Sequence, residues 1–433
     1  MEFSKQAQQV IDTIENTNNN VFVTGKAGTG KSTLLEHIRL HSKKKMIVLA
    51  PTGISAINVN GETIHSFFGL KPGFELDEAR EMRINNKKTA KFRRIKTIAI
   101  DEISMVRADL LDAIDTVLKR TRSNNEPFAG VQMIFFGDLF QLPPVVTVAD
   151  RDKLASEYAS PYFFDANVLN DQTQGNLFAE NFELQTIELI EIYRQKDNRF
   201  IEVLNAVRNG QVDDSHLDEL NSRLNPDFEP KDEDKYIHLV TTNDAAYQIN
   251  SAKLRKLKNE QRVFNAKKEG KVARNLYPND EEVVLSVGAQ VMFICNDQER
   301  RWVNGTIGKI VDVKDSDGEC VVYVEKNDGR VVKVKKHTWE ISRYVFEKNE
   351  FKRDIMGSYT QVPLKLAWAI TIHKSQGKTF DKVIIDLGRG AFAHGQTYVA
   401  LSRCTSLEGI VLKKRFCRSS ILMDKRVMDY CGN

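Results

Sequence analysis

The chain has 433 residues, of which 41% are hydrophobic and 28% are charged. These proportions are typical of a folded globular protein and exclude disordered and fibrous classes. No apolar run reaches the roughly 18 residues of a membrane-spanning helix, and the N-terminus does not show the charged and then apolar pattern of a signal peptide. We therefore expect a cytoplasmic protein that is not secreted, with about three domains at roughly 150 residues each.

Charge and cysteine content narrow the function only slightly. The formal net charge is +4, yet basic residues cluster at positions 42–45, 87–96, 333–337 and 412–418. Such clusters form either solvated faces or a track for phosphate groups. The five cysteines are scattered without a Cys-x-x-Cys pair, so we expect no zinc site, no iron–sulfur site and no disulfide framework.

The first elements in chain order predict a nucleotide-binding unit. A short N-terminal helix and a polar turn lead to "VFVTGKAGTGKSTLLEHI", which contains Gly25-x-x-x-x-Gly30-Lys31-Ser32. An apolar strand precedes this phosphate-loop pattern and helically spaced leucines follow it, which disfavours a glycine-rich turn without a ligand. Lys31 is predicted to reach the terminal phosphates, and Ser32 can hold magnesium.

Three further strands end in polar segments. The strand at 46–50 precedes "PTGISA", the strand at 97–100 precedes Asp101 and Glu102, and the strand at 131–138 precedes Gln141. Asp101 is placed to hold magnesium through water, and Glu102 to orient and deprotonate the attacking water; the alternative for this acidic pair is an ordinary helix cap. Gln141 would sense the γ-phosphate. Open parallel sheets bind ligands at this end of the strands, so we predict an ATPase or GTPase, and the lack of an Asn-Lys-x-Asp guanine reader favours ATP.

The segment "GETIHSFFG" (61–69) brings three aromatic rings close together in the sequence. His65, Phe67 and Phe68 lie in a short, loop-like stretch. Exposed rings of this kind can stack on unpaired bases at about 1–3 kcal/mol each. The two phenylalanines could equally plug the core, and the sequence leaves both interpretations open.

The second half contains an imitation of a phosphate loop. In "LAWAITIHKSQGKTF" (366–380), Gly377-Lys378-Thr379 matches the end of the pattern, but Ile372 stands where the first glycine is needed. We therefore predict no second nucleotide site. The strand instead ends in polar side chains, namely Thr371, His373, Lys374, Ser375 and Gln376.

Two arginines could act on the nucleotide from the second half. Arg194 ends the run "LIEIYRQ", and Arg403 lies in "YVALSRCTS", which we interpret as an early position in a helix that follows the strand at 382–387. Taken alone, each would be expected to form a surface ion pair. Combined with an ATP site, the pair could stabilise the transferring phosphoryl group. That arrangement is typical of a motor, whereas an ATP-gated DNA clamp would not need it.

With these motifs in place, the chain closely resembles the Pif family of DNA helicases, in subclass B of superfamily one, alongside the RecD-like enzymes. The resemblance runs through almost the whole chain. The stretch at 111–133 is similar to the signature that separates this family from its RecD-like relatives. The motifs that carry the resemblance are "GKAGTGKS", "APTGISA", "GETIHSFF", "DEIS", "GDLFQLPPV", "YRQ", "GAQVMF", "VNGTIG", "LAWAITIHKSQGKT" and "YVALSRC".

The resemblance implies an α/β fold with two RecA-like parallel-sheet motor domains, ATP in the cleft between them and single-stranded DNA across the top. The first domain is expected at 1–62 and 76–178, with a small wedge insertion at 63–75. The second is expected at 179–296 and 362–433, with an inserted small β-barrel at 297–361. Short strands with Asp-Gly turns, such as "GKIVDV" and "CVVYVEK", agree with the barrel.

The implied activity is ATP-dependent, 5′-to-3′ movement on single-stranded DNA with duplex unwinding, with ATP and magnesium as cofactors. The expected partners are single-stranded and forked duplex DNA, with no membrane; the sequence names no protein partner, and we expect a monomer without DNA. The chain resembles a bare bacterial or phage core that would associate with the nucleoid. An ATP-gated clamp and the helicase subunit of a nuclease complex stay as alternatives, and the sequence does not select among forks, quadruplexes and RNA–DNA hybrids.

The resemblance also implies roles for individual residues. The catalytic residues would be Lys31, Glu102, Gln141, Arg194 and Arg403, and the magnesium ligands Ser32 and Asp101. The nucleotide would be bound by Gln8, Gly25, Ala27, Gly28, Thr29, Gly30, Lys31, Ser32, Thr33, Gln141, Arg194, Gln376, Gly377 and Arg403. DNA would be bound by Thr52, Gly53, His65, Ser66, Phe67, Phe68, Thr241, Asn243, Thr371, His373, Lys374 and Ser375.

The adenine-reading glutamine is the one departure from the family pattern. The pattern Leu-Ser-x-x-Gln places Ala7 at the glutamine position, with Gln6 and Gln8 on either side. We favour Gln8 as the adenine reader. If neither glutamine contacts adenine, selectivity for ATP over other nucleotides must arise elsewhere.

Overall fold

The computed structural model describes residues 3–71, 76–170, 182–195, 197–231, 233–316, 319–347, 350–388 and 390–432. Within these residues the chain forms two compact units. Unit 1 comprises the chain up to Tyr193, Ser342–Ile355 and the chain from Lys425 onward. Unit 2 comprises Arg194–Ile341 and Met356–Asp424.

Unit 1 alternates strands and helices. Its strands are β1 (Asn20–Gly25), β2 (Met46–Ala50), β3 (Glu62–Thr63), β4 (Thr97–Ile100), β5 (Gln132–Phe136) and β6 (Leu184–Leu189). Its first nine helices are α1 (Lys5–Asn16), α2 (Lys31–His41), α3 (Gly53–Asn58), α4 (Ile64–Phe68), α5 (Leu76–Glu81), α6 (Asn86–Arg93), α7 (Ala108–Arg122), α8 (Val148–Glu157) and α9 (Asn167–Asn170).

The six strands of unit 1 form one parallel sheet in the order β3-β2-β4-β5-β1-β6. Residues of β4 and β5 are buried throughout, as expected for parallel strands covered on both faces. The strands predicted at 46–50 and 97–100 are confirmed. The strand predicted at 131–138 is shorter, because the chain turns at Gly137, where a Cβ would lie 2.8 Å from Ile103 Cγ2.

The family-like stretch at 111–133 lies largely on helix α7, whose charged side chains bind main-chain groups. The carboxylate of Asp112 accepts hydrogen bonds from the Tyr158 hydroxyl at 2.9 Å and from the N–H groups of Asn167 (3.0 Å) and Val168 (2.9 Å). The guanidinium of Arg122 donates to the carbonyls of Phe92, Arg93, Ile95 and Ala129. Side chains of the stretch at 111–133 therefore connect neighbouring segments of unit 1 to helix α7.

Unit 2 contains most of the remaining elements. Its helices are α10 (Asn198–Arg208), α11 (Asp214–Asn221), α12 (Asn243–Lys256), α13 (Ile372–Ser375) and α14 (Gln396–Leu401). The strands are β7 (Ile237–Val240), β8 (Gln261–Asn265), β9 (Lys267–Gly270), β10 (Glu282–Ser286), β11 (Gln290–Phe293), β12 (Ile307–Ser316), β13 (Glu319–Lys326), β14 (Val331–Val334), β15 (His337–Glu347), β16 (Glu350–Gln361), β17 (Leu364–Leu366), β18 (Ala369–Thr371), β19 (Val383–Asp386) and β20 (Ile410–Leu412). The last helix, α15 (Lys425–Tyr430), groups with unit 1, as do residues 342–355 of β15 and β16.

Unit 2 combines a parallel sheet with antiparallel β structure. The parallel sheet has the order β18-β7-β19-β20. The antiparallel strands form the sheets β14-β13-β12-β11-β17, β15-β16-β9 and β10-β8. Their apolar core includes Phe293 and Trp302, whose ring centroids are 4.6 Å apart. The short strands predicted within 307–336 are confirmed.

The predicted domain boundaries stay predictions. The boundary at 178/179 falls within residues 171–181, which lie outside the described residues. The wedge predicted at 63–75 begins with helix α4, and its residues 72–75 also lie outside the description. Within the described residues, every helix is too short or too polar to cross a lipid bilayer.

The contacts of Asp112 generate a stability prediction. Asp112→Ala leaves the buried Tyr158 hydroxyl, the buried Val168 N–H and the partly buried Asn167 N–H without their acceptor, and each buried group costs about 1–3 kcal/mol. We expect the free energy of unfolding to fall by about 2–4 kcal/mol in urea denaturation. Asp112→Asn, which keeps an acceptor oxygen, should lose less. The exposed Asp152→Ala on α8 serves as the control, and an equal effect of both alanine variants would contradict the assignment.

Candidate nucleotide and DNA sites

The predicted phosphate loop connects β1 to α2. Gly25 has φ +151°, and a Cβ there would lie 2.6 Å from the Leu189 carbonyl oxygen, so only glycine fits. Gly30 has φ +84° and caps helix α2. This left-handed turn is accessible to glycine at little cost, and it leaves the first N–H groups of α2 directed at the loop. A helix N-terminus of this kind is a ready site for phosphate.

Two side chains of the loop bind its own main chain. Lys31 Nζ donates to the carbonyl oxygens of Gly25 at 2.5 Å and Lys26 at 3.1 Å, so the amine lies over the loop. Thr29 is buried and its hydroxyl donates to the Lys26 carbonyl at 2.9 Å. Ser32 and Thr33 are exposed in the first turn of α2, and Ala27 and Gly28 complete the loop.

An acidic pair follows β4 at the same edge of the sheet. Burial and the neighbouring Glu102 carboxylate raise the pKa of Asp101 to about 7, and the Lys31 ammonium opposes this rise. Glu102 has φ +51° and ψ +47°, a strained conformation for a residue with a side chain that costs on the order of 1–3 kcal/mol and clusters at functional sites. Glu102 precedes the 3-10 turn Ile103–Met105 without a side-chain capping bond. The helix-cap alternative is therefore wrong for Glu102.

Gln141 is held by an acidic residue that sequence reasoning missed. Asp138 is fully buried, and its carboxylate accepts from the Gln141 side-chain amide and the Phe140 N–H, both at 3.2 Å. The same side chain thus orients the amide and closes the turn after β5. The signal was an aspartate directly after a buried strand, within the quoted segment "GDLFQLPPV".

Tyr193 is a second residue that sequence reasoning missed. Its N–H donates to the Gly28 carbonyl at 2.9 Å, and its ring would lie 3.8 Å from a Cβ at Gly30. The ring is 61% exposed. An exposed aromatic ring therefore stands beside the phosphate loop, and the available signal was its position before Arg194 in "YRQ".

The donor set fits a magnesium–nucleotide complex. Nowhere in the described ranges do three or more His, Cys, Asp or Glu side chains form a group that could hold a metal. Magnesium usually takes one or two protein ligands and completes its shell with water and substrate phosphates. The Ser32 hydroxyl and the desolvated Asp101 carboxylate offer such a set next to Lys31.

The N-terminal helix shows why the family glutamine is replaced. Ala7 is buried with Val10 and Ile14 on the core face of α1. Gln8 lies on the exposed face, where its amide donates to Asp12 Oδ1 at 2.9 Å, and Gln6 is half-buried. The choice of Gln8 as the adenine reader stays a prediction.

The residues predicted to bind DNA in unit 1 divide into two groups. Thr52 and Gly53 follow the carboxyl end of β2, where the Thr52 hydroxyl caps α3 by accepting from the Ser55 N–H at 3.2 Å. His65 is half-buried and Ser66 is exposed on α4. These four residues are at least partly accessible, and their DNA contacts stay predictions.

The expectation that Phe67 and Phe68 are exposed is wrong. Phe67 is 3% exposed and Phe68 0% exposed. Both rings contact Phe92, with centroids 5.7 and 5.4 Å away, and Lys91 Nζ lies 3.8 Å from the Phe67 ring centroid. The core alternative therefore applies, because α4 directs both rings into the unit.

In unit 2, the predicted DNA-binding segments meet at one sheet edge. Thr241 and Asn243 follow β7, and the segment from Thr371 to Ser375 follows β18, which pairs with β7 in parallel. The side chains of Thr371 and Ser375 are buried, and their hydroxyls bind main-chain groups of helix α13. Thr371 Oγ1 accepts from the Lys374 N–H at 3.3 Å, and Ser375 Oγ donates to the Ile372 carbonyl at 2.7 Å. The half-buried His373 and the exposed Lys374 remain accessible.

The two predicted nucleotide-sensing arginines lie together in unit 2. Arg194 Nη1 donates to the Ser402 carbonyl at 3.1 Å, and Arg403 Nη2 donates to the Ser402 hydroxyl at 2.9 Å. Gln195, which sequence reasoning missed, donates to the carbonyls of Ser402 (3.1 Å) and Cys404 (3.0 Å). A single turn therefore holds all three side chains.

Two expectations about Arg403 are wrong. It follows helix α14 instead of lying early in it, because the helix ends at Leu401. It is 1% exposed, so a surface ion pair is excluded. Its Nε donates to the Val399 carbonyl at 2.9 Å and its Nη1 to the Lys378 carbonyl at 3.4 Å.

The imitation phosphate loop has a different use in unit 2. Gln376 follows α13, and Gly377 has φ +75°. The next residue, Lys378, donates from Nζ to Asn304 Oδ1 at 2.7 Å, and burial lowers its pKa to about 8. This lysine thus contacts the "VNGT" segment while its carbonyl contacts Arg403.

Comparisons with known proteins agree with this geometry. A family profile described as PIF1-like helicase matches residues 2–218. The ATP-dependent DNA helicase Pif1 of Bdellovibrio bacteriovorus is 33% identical over 439 residues, which are 99% of this chain and 92% of that protein. Unliganded Pif1 from Bacteroides sp superposes with a TM-score of 0.87 at 38% identity, covering 99% of this chain and 96% of that one.

A complex of the Bacteroides helicase Pif1 with ADP-AlF3 and single-stranded DNA superposes with a TM-score of 0.70 at 39% identity, with the same coverage. The chain has the α/β fold of these helicases, with RecA-like domains. We conclude that the chain belongs to the PIF1-like helicase family and is an ATP-dependent DNA helicase.

Proposed function

We propose that the chain couples ATP hydrolysis at the phosphate loop of unit 1 to 5′-to-3′ movement along single-stranded DNA and to the unwinding of forked duplexes. The observation that carries the proposal is the assembly of Arg194 and Arg403 on one turn of unit 2, a unit whose only similar segment lacks the first phosphate-loop glycine. The action of these two arginines would make hydrolysis depend on the state of the whole motor.

The proposed nucleotide site uses the side chains of unit 1 for distinct tasks. Lys31 would bind the terminal phosphates, and Ser32 and Asp101 would hold magnesium, which would supply neutralisation of the charge that develops on the phosphates. Glu102 accepts the proton of the attacking water, and Gln141, oriented by Asp138, contacts the γ-phosphate.

Base recognition is proposed for two exposed side chains of unit 1. Gln8 would read the adenine edge with its amide, since the side chain lies on the exposed face of α1. The Tyr193 ring would pack against the nucleotide, because it stands beside the phosphate loop with most of its surface exposed. Together with Gln376 and Gly377 from unit 2, these groups complete the proposed nucleotide contacts.

DNA is proposed to follow the carboxyl edges of the parallel sheets. In unit 1 the contacts would come from Thr52, Gly53, His65 and Ser66. In unit 2 they would come from Thr241 and Asn243 and from His373 and Lys374. A cytoplasmic, nucleoid-associated location and a monomeric state without DNA complete the proposal.

Unwinding polarity tests the proposed function directly. We expect strand separation of a duplex with a 5′ single-stranded tail and little separation of one with a 3′ tail, both in the presence of ATP and magnesium. The measurement is a strand-separation assay with ATP omitted as the control. Preference for the 3′ tail would contradict the direction, and ATP-dependent binding without separation would indicate a clamp.

Lys31→Ala should abolish hydrolysis without weakening DNA binding. The variant loses a cation at the transferring phosphate, and loss of one such donor costs about 10²–10³-fold in turnover. Phosphate release with single-stranded DNA measures the first effect, and fluorescence anisotropy measures the second. The exposed Lys43→Ala should behave as the unchanged chain, and a similar loss in both variants would argue against a specific role.

Arg403→Lys tests the role of the guanidinium in the transition state. Lysine keeps the charge but lacks the planar fork that holds the Ser402 turn and reaches a phosphate. We expect turnover to fall by about 10³-fold or more, with a much smaller change in KM for ATP. Thermal unfolding of the variant monitors the fold. An equal loss of nucleotide affinity and turnover in a folded variant would contradict action in the transition state.

A further inference from the structure

Phe392 is an exposed aromatic residue in unit 2 that the nucleotide and DNA assignments do not use. It lies in the connection between β19 and α14 and is 61% exposed. A large apolar ring in water is a normal surface feature when isolated. Its surroundings here are those of a binding site.

The ring of Phe392 lies nearly parallel to the ring of His373. Their centroids are 6.3 Å apart and their planes differ by 16°, within the spacing of aromatic pairs. Burial lowers the pKa of His373, which favours the uncharged ring. His373 follows β18, in the segment proposed to contact DNA.

The main chain at Phe392 is fixed although its ring is exposed. The Phe392 N–H donates to Gln396 Oε1 at 3.0 Å, and Gln396 is fully buried at the start of α14. The same connection passes close to the segment after β7, because a Cβ at Gly388 would lie 3.7 Å from Thr241 Oγ1. The ring therefore stands among the loops that follow β7, β18 and β19, which are neighbours in the sheet.

Two exposed lysines belong to or contact the segments that carry His373 and Phe392. Lys374 is exposed one residue after His373, and the exposed Lys414 donates from Nζ to the Gly388 carbonyl. An aromatic surface with ammonium groups beside it complements a single nucleic-acid strand, whose bases stack on rings while its phosphates attract lysines. An apolar protein segment would not need the lysines.

We propose that Phe392, next to His373, stacks on an unpaired base of the single strand that the helicase holds. This inference rests on the proposed function and adds a contact to it. It also supplies the stacking group that Phe67 and Phe68, being buried, do not provide. Because every base has an aromatic face, the contact holds the strand without reading its sequence.

Phe392→Ala tests the proposal with two ligands. One is a short fluorescent oligothymidine, and the other is a strand of equal length and charge whose sugars carry no bases. We expect Phe392→Ala to weaken oligothymidine binding between about 5- and 100-fold and to leave binding of the abasic strand nearly unchanged. Phe392→Tyr should restore oligothymidine binding, and Phe392→Leu should not, because leucine fills the space without an aromatic face.

The control variant is Val331→Ala, which truncates an exposed apolar residue on β14 and should bind both strands as the unchanged chain does. Wild-type affinity of Phe392→Ala for oligothymidine would overturn the stacking proposal, as would an equal loss on the abasic strand. Failure of the unchanged chain to bind either strand would instead overturn the proposed function. Thermal unfolding should be unchanged in Phe392→Ala, and a large fall would assign the ring to the fold.

Discussion

The shared carboxyl edge of parallel strands is the constraint on which the two sites depend. Strands that run in parallel must all end on the same side of their sheet, so the segments that follow them meet there. In unit 1 this brings together the phosphate loop, Thr52, Asp101 and Gln141, although they are spread over more than a hundred residues. In unit 2 it brings together the segments after β7, β18 and β19. The candidate functional residues of each unit therefore lie at the carboxyl edge of its parallel sheet.

Buried polar side chains give these edges their fixed geometry. Asp138 orients Gln141, and Ser402 gathers Arg194, Gln195 and Arg403 through its carbonyl and hydroxyl groups. Such groups are costly to bury unless they are hydrogen-bonded, and once bonded they cannot easily turn away. Functional side chains held by a supporting layer need little reorganisation when substrate arrives. The left-handed backbone of Glu102 belongs to the same pattern, since its strain is maintained by the structure around it.

Much of this arrangement could be predicted from the sequence. Apolar runs that end abruptly in polar residues predicted the strands and the sites after them, and the glycine spacing at 25–30 predicted the phosphate loop. Side chains whose environment is set by distant residues could not be predicted. Phe67 and Phe68 are buried because Phe92 packs on them, and Arg403 follows its helix because α14 ends at Leu401. Contacts with segments distant in the sequence also define the roles of Tyr193, Gln195 and Phe392.

Lys378 shows how a sequence motif can serve a different purpose. Its Gly-Lys-Thr context imitates a phosphate loop, yet its ammonium contacts Asn304 and its carbonyl contacts Arg403. Its contacts instead connect the "VNGT" segment to the turn that holds Arg403. The lack of a glycine at position 372 therefore predicted the role of this segment better than the Gly-Lys-Thr ending did.

The proposed shared role of Gln141 and Arg403 in ATP hydrolysis is the central claim, and a double-mutant cycle on DNA-stimulated ATP turnover tests it most directly. The cycle combines Gln141→Ala with Arg403→Lys and compares the double variant with each single one. Groups that stabilise the same transition state act as a unit, and their effects are then far from additive. We expect the double variant to be little slower than the slower single variant. Effects that multiply independently would contradict the account.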